Sequence, residues 1–361
     1  MKSVIADALD SRKSRQSVVD SKLEEFATPK IIAIGVGGAG CNAVNRMATM
    51  GISGAQLCAV NTDKMHLSII SDEITKVLIG KAVTRGLGAG GYPEIGAKAA
   101  EVSKDALEEV LKDSDMVFIS AGMGGGTGTG AAPVIAEIAK KNGAITIAAV
   151  TYPFSLERAR VVKAEEGIQN LAKICDTVIV LDNNRLVALV PNLPIQDAFR
   201  VADEVIARAI RGITETITQP SLINLDFADV RSIMSGKGLS MIAVGESKSV
   251  NKVDEVVNDT LNNTLLDVDI TGASGALIHI TGGPDMTLGE ANSVGEQLSE
   301  KADSKATVIW GARVDPTYEN RLQVIAIFTG VHSPYISGTG KQENYSQPYN
   351  SKKRDLDLGM I

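Results

Sequence analysis

From Lys30 onward, apolar residues form short blocks of strand length separated by longer stretches with helical spacing. The strand-length blocks are Ile31 to Ile34, Leu57 to Val60, Met116 to Ser120, Ile145 to Val150 and Thr177 to Leu181. The helical stretches between them are Asn42 to Met50, Ile95 to Leu111 and Ala131 to Lys141. This alternation of strands and helices predicts a parallel sheet with helices on both faces.

A long helix is predicted from Pro194 to Thr218, because proline suits a first helical turn and a wide apolar stripe follows it. A stripe this wide is expected to be buried between two bodies. The stripe consists of Phe199, Val201, Val205, Ile206, Ala209, Ile210 and Ile213. After Pro220, a second set of strand and helix patterns predicts a smaller α+β domain. Its runs are Met241 to Gly245, Ala276 to Ile280, Thr307 to Trp310 and Gln323 to Phe328, with helices near Lys252 to Leu261 and Leu288 to Lys301.

The patterns divide the chain into an N-terminal helical extension, a first domain, a central helix, a second domain and a tail. Acids and bases balance in the extension, which disfavours a membrane-surface helix. The tail is polar and ends in the apolar-acidic peptide Asp355 to Ile361. A disordered end and a docking peptide both remain open for it. The predicted boundaries are 1–28, 29–193, 194–219, 220–332 and 333–361.

Charge and composition narrow the class of protein. The 361 residues carry a formal net charge of −7 and only 4% aromatics, which argues against a nucleic-acid partner. The three cysteines and three histidines show no zinc-ligand spacing and no disulfide framework. No apolar run has the length of a membrane span, and the first residues lack a signal-peptide core. We therefore expect a cytoplasmic protein without direct membrane insertion.

Candidate chemistry begins with a glycine loop, Gly35 to Gly40, which follows the first strand and opens a helix. It fits the G-x-G-x-x-G pattern, in which the backbone approaches a phosphate and a helix start supplies N–H donors. Asp63 ends the next strand near the distance expected of a ribose-binding acid. An NAD-dependent oxidoreductase is therefore one hypothesis for this chain.

A second glycine loop, Gly124 to Gly130, also lies between a strand and a helix, and it adds two threonine hydroxyls. A dehydrogenase does not need a second phosphate-binding loop, whereas a protein that binds a nucleoside triphosphate does. A third loop, Gly86 to Gly91, follows Arg85 and could reach the terminal phosphate. Because no G-x-x-x-x-G-K-[ST] motif occurs, we expect Mg²⁺, held mainly by phosphate oxygens and water, to offset the charge.

The second loop resembles the signature loop of the tubulin and FtsZ superfamily. The first loop with Cys41 and Asn42, the sequence Asn61 to Asp63, and the stretch Gly86 to Pro93 resemble the FtsZ form. Asn224 to Val230 is similar to the FtsZ loop that activates GTP hydrolysis. The resemblance runs from about Lys30 to Val331 and is nearest to archaeal FtsZ. It implies the tubulin/FtsZ fold: a Rossmann-like GTPase domain, a long central helix and a smaller α+β C-terminal domain.

The resemblance also implies roles for particular residues. The phosphates of GTP or GDP would be held by Gly37, Gly38, Ala39, Gly40, Cys41, Asn42, Gly125, Gly126, Thr127, Gly128, Thr129 and Gly130. Nearest the γ-phosphate would be Ala89, Gly90 and Gly91. Glu157 would contact the ribose, Phe199 would stack on guanine, and Asn183 and Asp203 would hydrogen-bond it.

Two departures from the family pattern lie near these residues. The segment after the fifth strand is one residue shorter than usual, which leaves open whether Arg158 or Arg160 takes the family's arginine role. Asp182 replaces the usual proline before Asn183.

The motif order predicts a catalytic site shared between two molecules. If Asp203 touches the base, the long helix carries the chain roughly 25 Å away before Asp226 and Asp229 follow. These acids then either cap a helix or serve a neighbour's nucleotide, with Asn224 helping to position water. Head-to-tail stacking would generate an open filament.

The resulting hypothesis is a GTPase that polymerises with itself and forms the cell-division ring at mid-cell. The tail would bind a division-machinery or membrane-tether protein. A tubulin-like scaffold for cell shape, with little GTP turnover, is the alternative within the same family.

Overall fold

The computed structural model describes residues 29–219, 223, 226–234, 239–262 and 270–331. The predicted N-terminal extension and the tail from residue 333 lie outside the described residues, as does Asn224.

The first unit is built on a six-stranded sheet whose pairs are all parallel and whose order is β3-β2-β1-β4-β5-β6. The central strands β1, β4 and β5 are buried at nearly every position, as expected for a sheet covered by helices on both faces. The strands are β1 (Ile31–Val36), β2 (Ala55–Asn61), β3 (Thr75–Leu78), β4 (Met116–Gly122), β5 (Ile145–Tyr152) and β6 (Thr177–Asp182).

The helices of this unit follow its strands along the chain. They are α1 (Gly37–Thr49), α2 (Lys64–Ser68), α3 (Lys81–Thr84), α4 (Pro93–Glu101), α5 (Lys104–Leu111), α6 (Thr127–Lys141), α7 (Arg158–Ile174) and α8 (Asn183–Leu189). The stretch predicted as one helix from Ile95 to Leu111 is two helices, α4 and α5. The break falls at Ser103, whose Oγ accepts a hydrogen bond from the Gly80 N–H at 2.8 Å.

Helix α9 (Ile195–Thr218) extends for 24 residues along the sheet. The later part of its apolar stripe is buried, with Ile206, Ile210 and Ile213 each at most 3% exposed, whereas Phe199 in its first turns is 40% exposed. The polar side carries ion pairs to other elements, including Glu204 with Arg46 of α1 at 2.6 Å. This helix therefore has the buried position that its sequence pattern predicts.

The second unit contains a four-stranded mixed sheet with the order β7-β10-β8-β9. Its strands are β7 (Leu239–Ser247), β8 (Ala273–Gly282), β9 (Ala302–Val314) and β10 (Leu322–Val331). The described helices that accompany it are α10 (Phe227–Met234), α11 (Lys252–Leu261) and α12 (Leu288–Ser299). One continuous apolar core includes residues of both units, and Gly212 of α9 lets the Ile325 side chain of β10 approach the helix backbone.

Among the helices described, none is both long enough and apolar enough to cross a membrane.

Candidate functional site

The carboxyl ends of the parallel strands open onto a pocket of about 900 Å³. Loops after β1, β4, β5 and β6 line it, together with the first turns of α9. Crevices at this edge are where open α/β sheets bind their ligands. The predicted site residues that line the pocket are Gly37, Gly38, Ala39, Asn42, Gly125, Gly126, Thr127, Gly128, Glu157, Arg160, Asn183, Phe199 and Asp203.

The glycines of the first loop divide into two kinds. A side chain at Gly35 would overlap the backbone of Gly40, and one at Gly40 would overlap the Ser120 carbonyl. Gly37 has φ +73° and lies against Gly128 of the second loop. Gly38, in contrast, is exposed, and a Cβ built there would meet, beyond its own helix and among the described residues, only the His66 imidazole within 4 Å. The buried glycines therefore shape the loop, and Gly38 leaves its backbone open to a ligand.

The second loop is held by its own threonines. The Gly124 N–H, at a φ of +90°, donates to Thr129 Oγ1 at 2.9 Å. The Thr127 and Thr62 hydroxyls are 2.7 Å apart, which joins this loop to the end of β2. A Cβ at Gly125 would meet nothing within 4 Å. The Thr129 hydroxyl thus supports the loop from within and the Thr127 hydroxyl bonds to Thr62, while open backbone at Gly125 faces the pocket.

The third loop lies against the second without lining the pocket. A Cβ at Gly126 would come within 2.8 Å of Ala89 Cβ and 3.1 Å of Gly91 N. Lys163 of α7 donates to the Gly91 carbonyl at 2.7 Å, and its ammonium lies 5.3 Å from the centre of the Tyr92 ring. These contacts hold Ala89 to Gly91 at the edge of the phosphate loops.

Three other predicted phosphate residues are also behind the pocket wall. Cys41 is fully buried, its Sγ lies within 3.7 Å of the Gly35 and Val60 carbonyls, and burial raises its pKa to about 12. The thiol is therefore protonated and apart from the ligand space. Thr129 and Gly130 are buried as well, and Gly130 packs against the Pro93 carbonyl. These residues therefore contact the loops and not the open space of the pocket.

The far end of the pocket suits a flat aromatic base. The rings of Phe154 and Phe199 meet edge to face with centroids 5.8 Å apart, and Phe199 is 40% exposed. Asp203 lies one helical turn further along α9. Burial raises the pKa of Asp203 to about 7, and the Arg46 guanidinium partly opposes that shift. Phe154 was not among the predicted site residues, although it follows Pro153 in the motif that carries Glu157.

The arginine ambiguity is reduced by the geometry. Arg160 lines the pocket and pairs with Glu157 at 2.6 Å, whereas Arg158 is not among the lining residues described. Glu157 Oε1 also accepts from the Phe154 N–H at 3.2 Å. The structure thus favours Arg160 for the family's arginine position.

The unusual Asp182 has a local role. Its carboxylate accepts from the Asn184 N–H at 2.8 Å and from Asn184 Nδ2 at 2.7 Å, which caps α8. Asn184 Oδ1 in turn accepts from the Ser155 backbone N–H at 2.8 Å and lies 3.0 Å from the Ser155 hydroxyl. This network ties the turn that carries Glu157 to the start of α8. Sequence reasoning missed Asn184, and its only signal was the Asx residue pattern at a helix start.

The two predicted catalytic acids lie away from the pocket. Asp226 is exposed and Asp229 half-buried at the start of α10, where the Asp229 N–H donates to Asp226 Oδ1 at 2.7 Å. Arg231 of the same helix donates to the carbonyl of Gly143, which precedes β5. Met234 Sδ accepts from the Thr177 hydroxyl at the first residue of β6. Helix α10 therefore packs at the amino ends of the strands, opposite the pocket.

Comparisons with known proteins agree with this architecture. The GTPase domain of the Tubulin/FtsZ family matches residues 30–191, and the C-terminal domain of the FtsZ family matches residues 238–332. The chain therefore belongs to the tubulin/FtsZ family, and the pocket lies mostly within the part of the chain that matches its GTPase domain. Within that family the matching C-terminal domain assigns it to the FtsZ branch, which confirms the family and the fold predicted from the motifs.

Individual relatives are similar over nearly the whole chain. The cell division protein FtsZ 2 of Methanocaldococcus jannaschii is 56% identical over 97% of this chain and 92% of its own length. A cell division protein FtsZ 2 of Halobacterium salinarum is 51% identical over 99% of this chain and 93% of its own. A solved structure of an empty FtsZ dimer from M. jannaschii superimposes with a TM-score of 0.80 at 48% identity, covering 87% of this chain and 92% of that one.

Proposed function

We propose that this chain is a GTPase that polymerises head to tail, with the catalytic acids of one subunit completing the nucleotide site of the next. The observation that carries the proposal is the position of Asp226 and Asp229 at the amino edge of the sheet, while the pocket opens at the carboxyl edge. A single molecule cannot bring the two together.

The separation follows from strand length. β5 has eight residues, which at about 3.3 Å per residue span roughly 25 Å. Arg231 of α10 contacts Gly143, two residues before β5 begins, and Phe154 of the pocket lining follows two residues after β5 ends. Asp226 lies five residues before Arg231, so its distance from the pocket differs from that of Arg231 by at most about 7.5 Å along the helix. Asp226 therefore stays far beyond hydrogen-bond distance of a phosphate in its own pocket.

In the assembled pair, the exposed Asp226 and the half-buried Asp229 face the terminal phosphate of the neighbour's nucleotide. Their carboxylates accept hydrogen bonds from a water and orient it for in-line attack, and Asn224 helps to position that water. Positioning and charge stabilisation supply most of the catalysis in phosphoryl transfer. Loss of the terminal phosphate then weakens the junction.

Mg²⁺ fits this site only through the nucleotide. Among the residues described, no group of three or more His, Cys, Asp or Glu side chains could hold a metal ion. Phosphate oxygens and water would therefore supply most ligands, which Mg²⁺ tolerates well. When bound, the ion neutralises charge that develops on the phosphates.

Guanine selectivity is assigned to Asp203 and Asn183. An ionised carboxylate accepts both the N1–H and the N2 amine of guanine, a donor pair that adenine lacks. The raised pKa of Asp203 means that its ionised form is disfavoured in the empty pocket and gains partners when guanine binds. Stacking on Phe199, supported by Phe154, holds the base in place.

The cellular role follows from relatives that are named cell division proteins. We propose a cytoplasmic filament that gathers at mid-cell as the division ring and engages its membrane tether through the tail. A scaffold for cell shape with little turnover remains the second candidate, and the acid pair at the start of α10 argues against it, since a non-hydrolysing scaffold has no need of it.

Measuring GTP hydrolysis across protein concentration, with sedimentation in GTP and in GDP, tests the proposal. Shared sites require a concentration threshold, above which the rate per molecule rises as sedimenting polymer appears in GTP. A rate per molecule that stays constant down to fully monomeric protein would refute the shared site. Sedimenting polymer without turnover would favour the scaffold.

A further inference from the structure

His66 lies beside the phosphate loops but belongs to none of the motifs that define them. It follows β2 at the carboxyl edge of the sheet, within the short helix α2. Asp63 anchors this helix, because its Oδ1 accepts from the N–H groups of Met65 and His66 at 2.9 and 3.1 Å. The imidazole is therefore carried on a segment whose start is fixed by side-chain hydrogen bonds.

The two nitrogens of the His66 ring have different surroundings. Nδ1 is buried and has no hydrogen-bond partner among the described residues. Nε2 lies 4.0 Å from the position that a Cβ on Gly38 would occupy, and apart from the residues next to Gly38 and the backbone of α1 no other described atom comes within 4 Å of that position. Nε2 thus faces the open side of the first phosphate loop.

These surroundings select a tautomer. A neutral imidazole carries one proton, on either nitrogen. Buried N–H donors without an acceptor are rarer in proteins than buried acceptors without a donor. The proton is therefore expected on Nε2, which makes His66 a hydrogen-bond donor directed toward Gly38.

The charged side chains that line the pocket leave room for a further donor to the phosphates. Among the described residues that line the pocket, the charged side chains are Glu157, Arg160 and Asp203. Arg160 is already paired with Glu157, so the lining offers no free cation for the phosphates. A side-chain donor at the phosphate end strengthens binding, because hydrogen bonds to charged groups are the strong ones.

The sheet order identifies which phosphate is in reach. The base end of the pocket lies at β6 and α9, and His66 follows β2, four strand spacings away. At about 4.8 Å per spacing, this is roughly 19 Å. A nucleoside triphosphate can extend over such a distance and a monophosphate cannot. Resting on the function proposed above, we propose that His66 donates its Nε2–H to the terminal phosphate of bound GTP.

Matched variants separate this role from packing. His66→Leu keeps much of the volume but removes both nitrogens, and His66→Gln restores an N–H donor of similar reach. Met65→Ala is the control, since Met65 is 79% exposed on the same helix. Dissociation constants for GTP, GDP and GMP are measured by calorimetry on protein dilute enough not to sediment, and thermal melting verifies folding.

His66→Leu is expected to raise the dissociation constant for GTP about 10-fold or more, that for GDP less, and that for GMP less than about 2-fold. His66→Gln should recover most of the GTP affinity, and Met65→Ala should match the parent. Equal loss for all three nucleotides, or no loss for GTP, would overturn the role of His66. If His66→Leu does not fold, His66→Gln is compared with the shorter His66→Asn. Weaker GTP binding by His66→Asn supports the contact, and equal GTP binding by the two overturns it.

Failure of the underlying function has a different signature. A parent protein that binds none of the three nucleotides would remove both the proposed function and the His66 contact. A parent that binds GTP, with a His66→Leu variant that binds it equally well, would remove only the contact.

Discussion

Replacing Asp226 with asparagine separates catalysis from helix capping. Asp226 Oδ1 accepts the Asp229 N–H at 2.7 Å, so its oxygen helps to start α10. Removing that acceptor altogether, as in Asp226→Ala, would cost about 1 kcal/mol of stability. Asparagine keeps an acceptor oxygen of nearly the same geometry but has no negative charge. The thermal midpoint of Asp226→Asn should therefore stay close to that of the parent protein.

The expected effect on activity is large. A positioned carboxylate that accepts a proton or orients water contributes about 10²- to 10⁴-fold. Asp226→Asn should therefore lower the GTP hydrolysis rate in polymer at least about 100-fold. Its dissociation constant for GTP should remain within about 2-fold of the parent value, because strand β5 separates Asp226 from the pocket.

Mixing two inactive variants tests whether the acids act across a junction. Asp226→Asn keeps an intact pocket, and Asp203→Ala keeps intact acids but binds guanine poorly. Where an Asp203→Ala subunit docks its α10 end onto the pocket of an Asp226→Asn subunit, one complete site forms. The mixture should hydrolyse GTP faster than the sum of its components, at up to about a quarter of the parent rate if junctions form at random.

Three results would refute this reasoning. Full hydrolysis by Asp226→Asn would show that the carboxylate is unnecessary and that Asp226 only caps α10. Parallel loss of GTP binding and hydrolysis would show that Asp226 acts on its own pocket. Absence of any gain on mixing, with both variants sedimenting normally, would contradict a site shared between subunits.

Three further predictions concern the pocket and its support. Because the pKa of Asp203 is raised to about 7, the affinity for GDP should be constant above that pH and should fall by up to about 10-fold per pH unit below it. Calorimetry at several pH values measures this dependence. The Asp203→Asn variant should bind GDP more weakly and with little dependence on pH. Lys163→Met removes the bond to the Gly91 carbonyl and should weaken GTP a few-fold while sparing GMP, whereas equal weakening of both would contradict a phosphate-end role. The new side chain in Gly40→Ala would overlap the Ser120 carbonyl and should lower the free energy of unfolding by about 1–3 kcal/mol in denaturant titrations. Gly38→Ala is the control and should be nearly neutral. Similar stabilities for the two variants would refute the distinction between buried glycines that shape the loop and the exposed Gly38.

The periodicity of apolar residues and the order of the motifs predicted most of the architecture. The strand cores from Ile31 onward, the helix ending at Thr218 and the paired glycine loops were all predicted, because buried strands and phosphate loops demand particular residue types at particular spacings. Strand β3 and helix α7 were not predicted. β3 is a four-residue edge strand with no fully buried position, so it leaves little apolar signal. The head of α7 is rich in charge, which hides its periodicity.

Within the candidate site, sequence alone indicated which residues belong together but could not rank their roles. Cys41 and Thr129 match the motif as well as Gly38 does, yet the fold turns their side chains into the loop interior. Asn184 and His66 carry no motif signal, and only their contacts with Ser155 and their position beside Gly38 relate them to the pocket.

The sequence by itself determined the family and the order of the elements, since these depend on local patterns along one stretch of chain. The tertiary structure decided which face each loop residue presents, the raised pKa of Asp203, and the position of Asp226 on the edge opposite the pocket. Those properties arise from burial and from contacts between residues far apart in the chain, which no local pattern encodes.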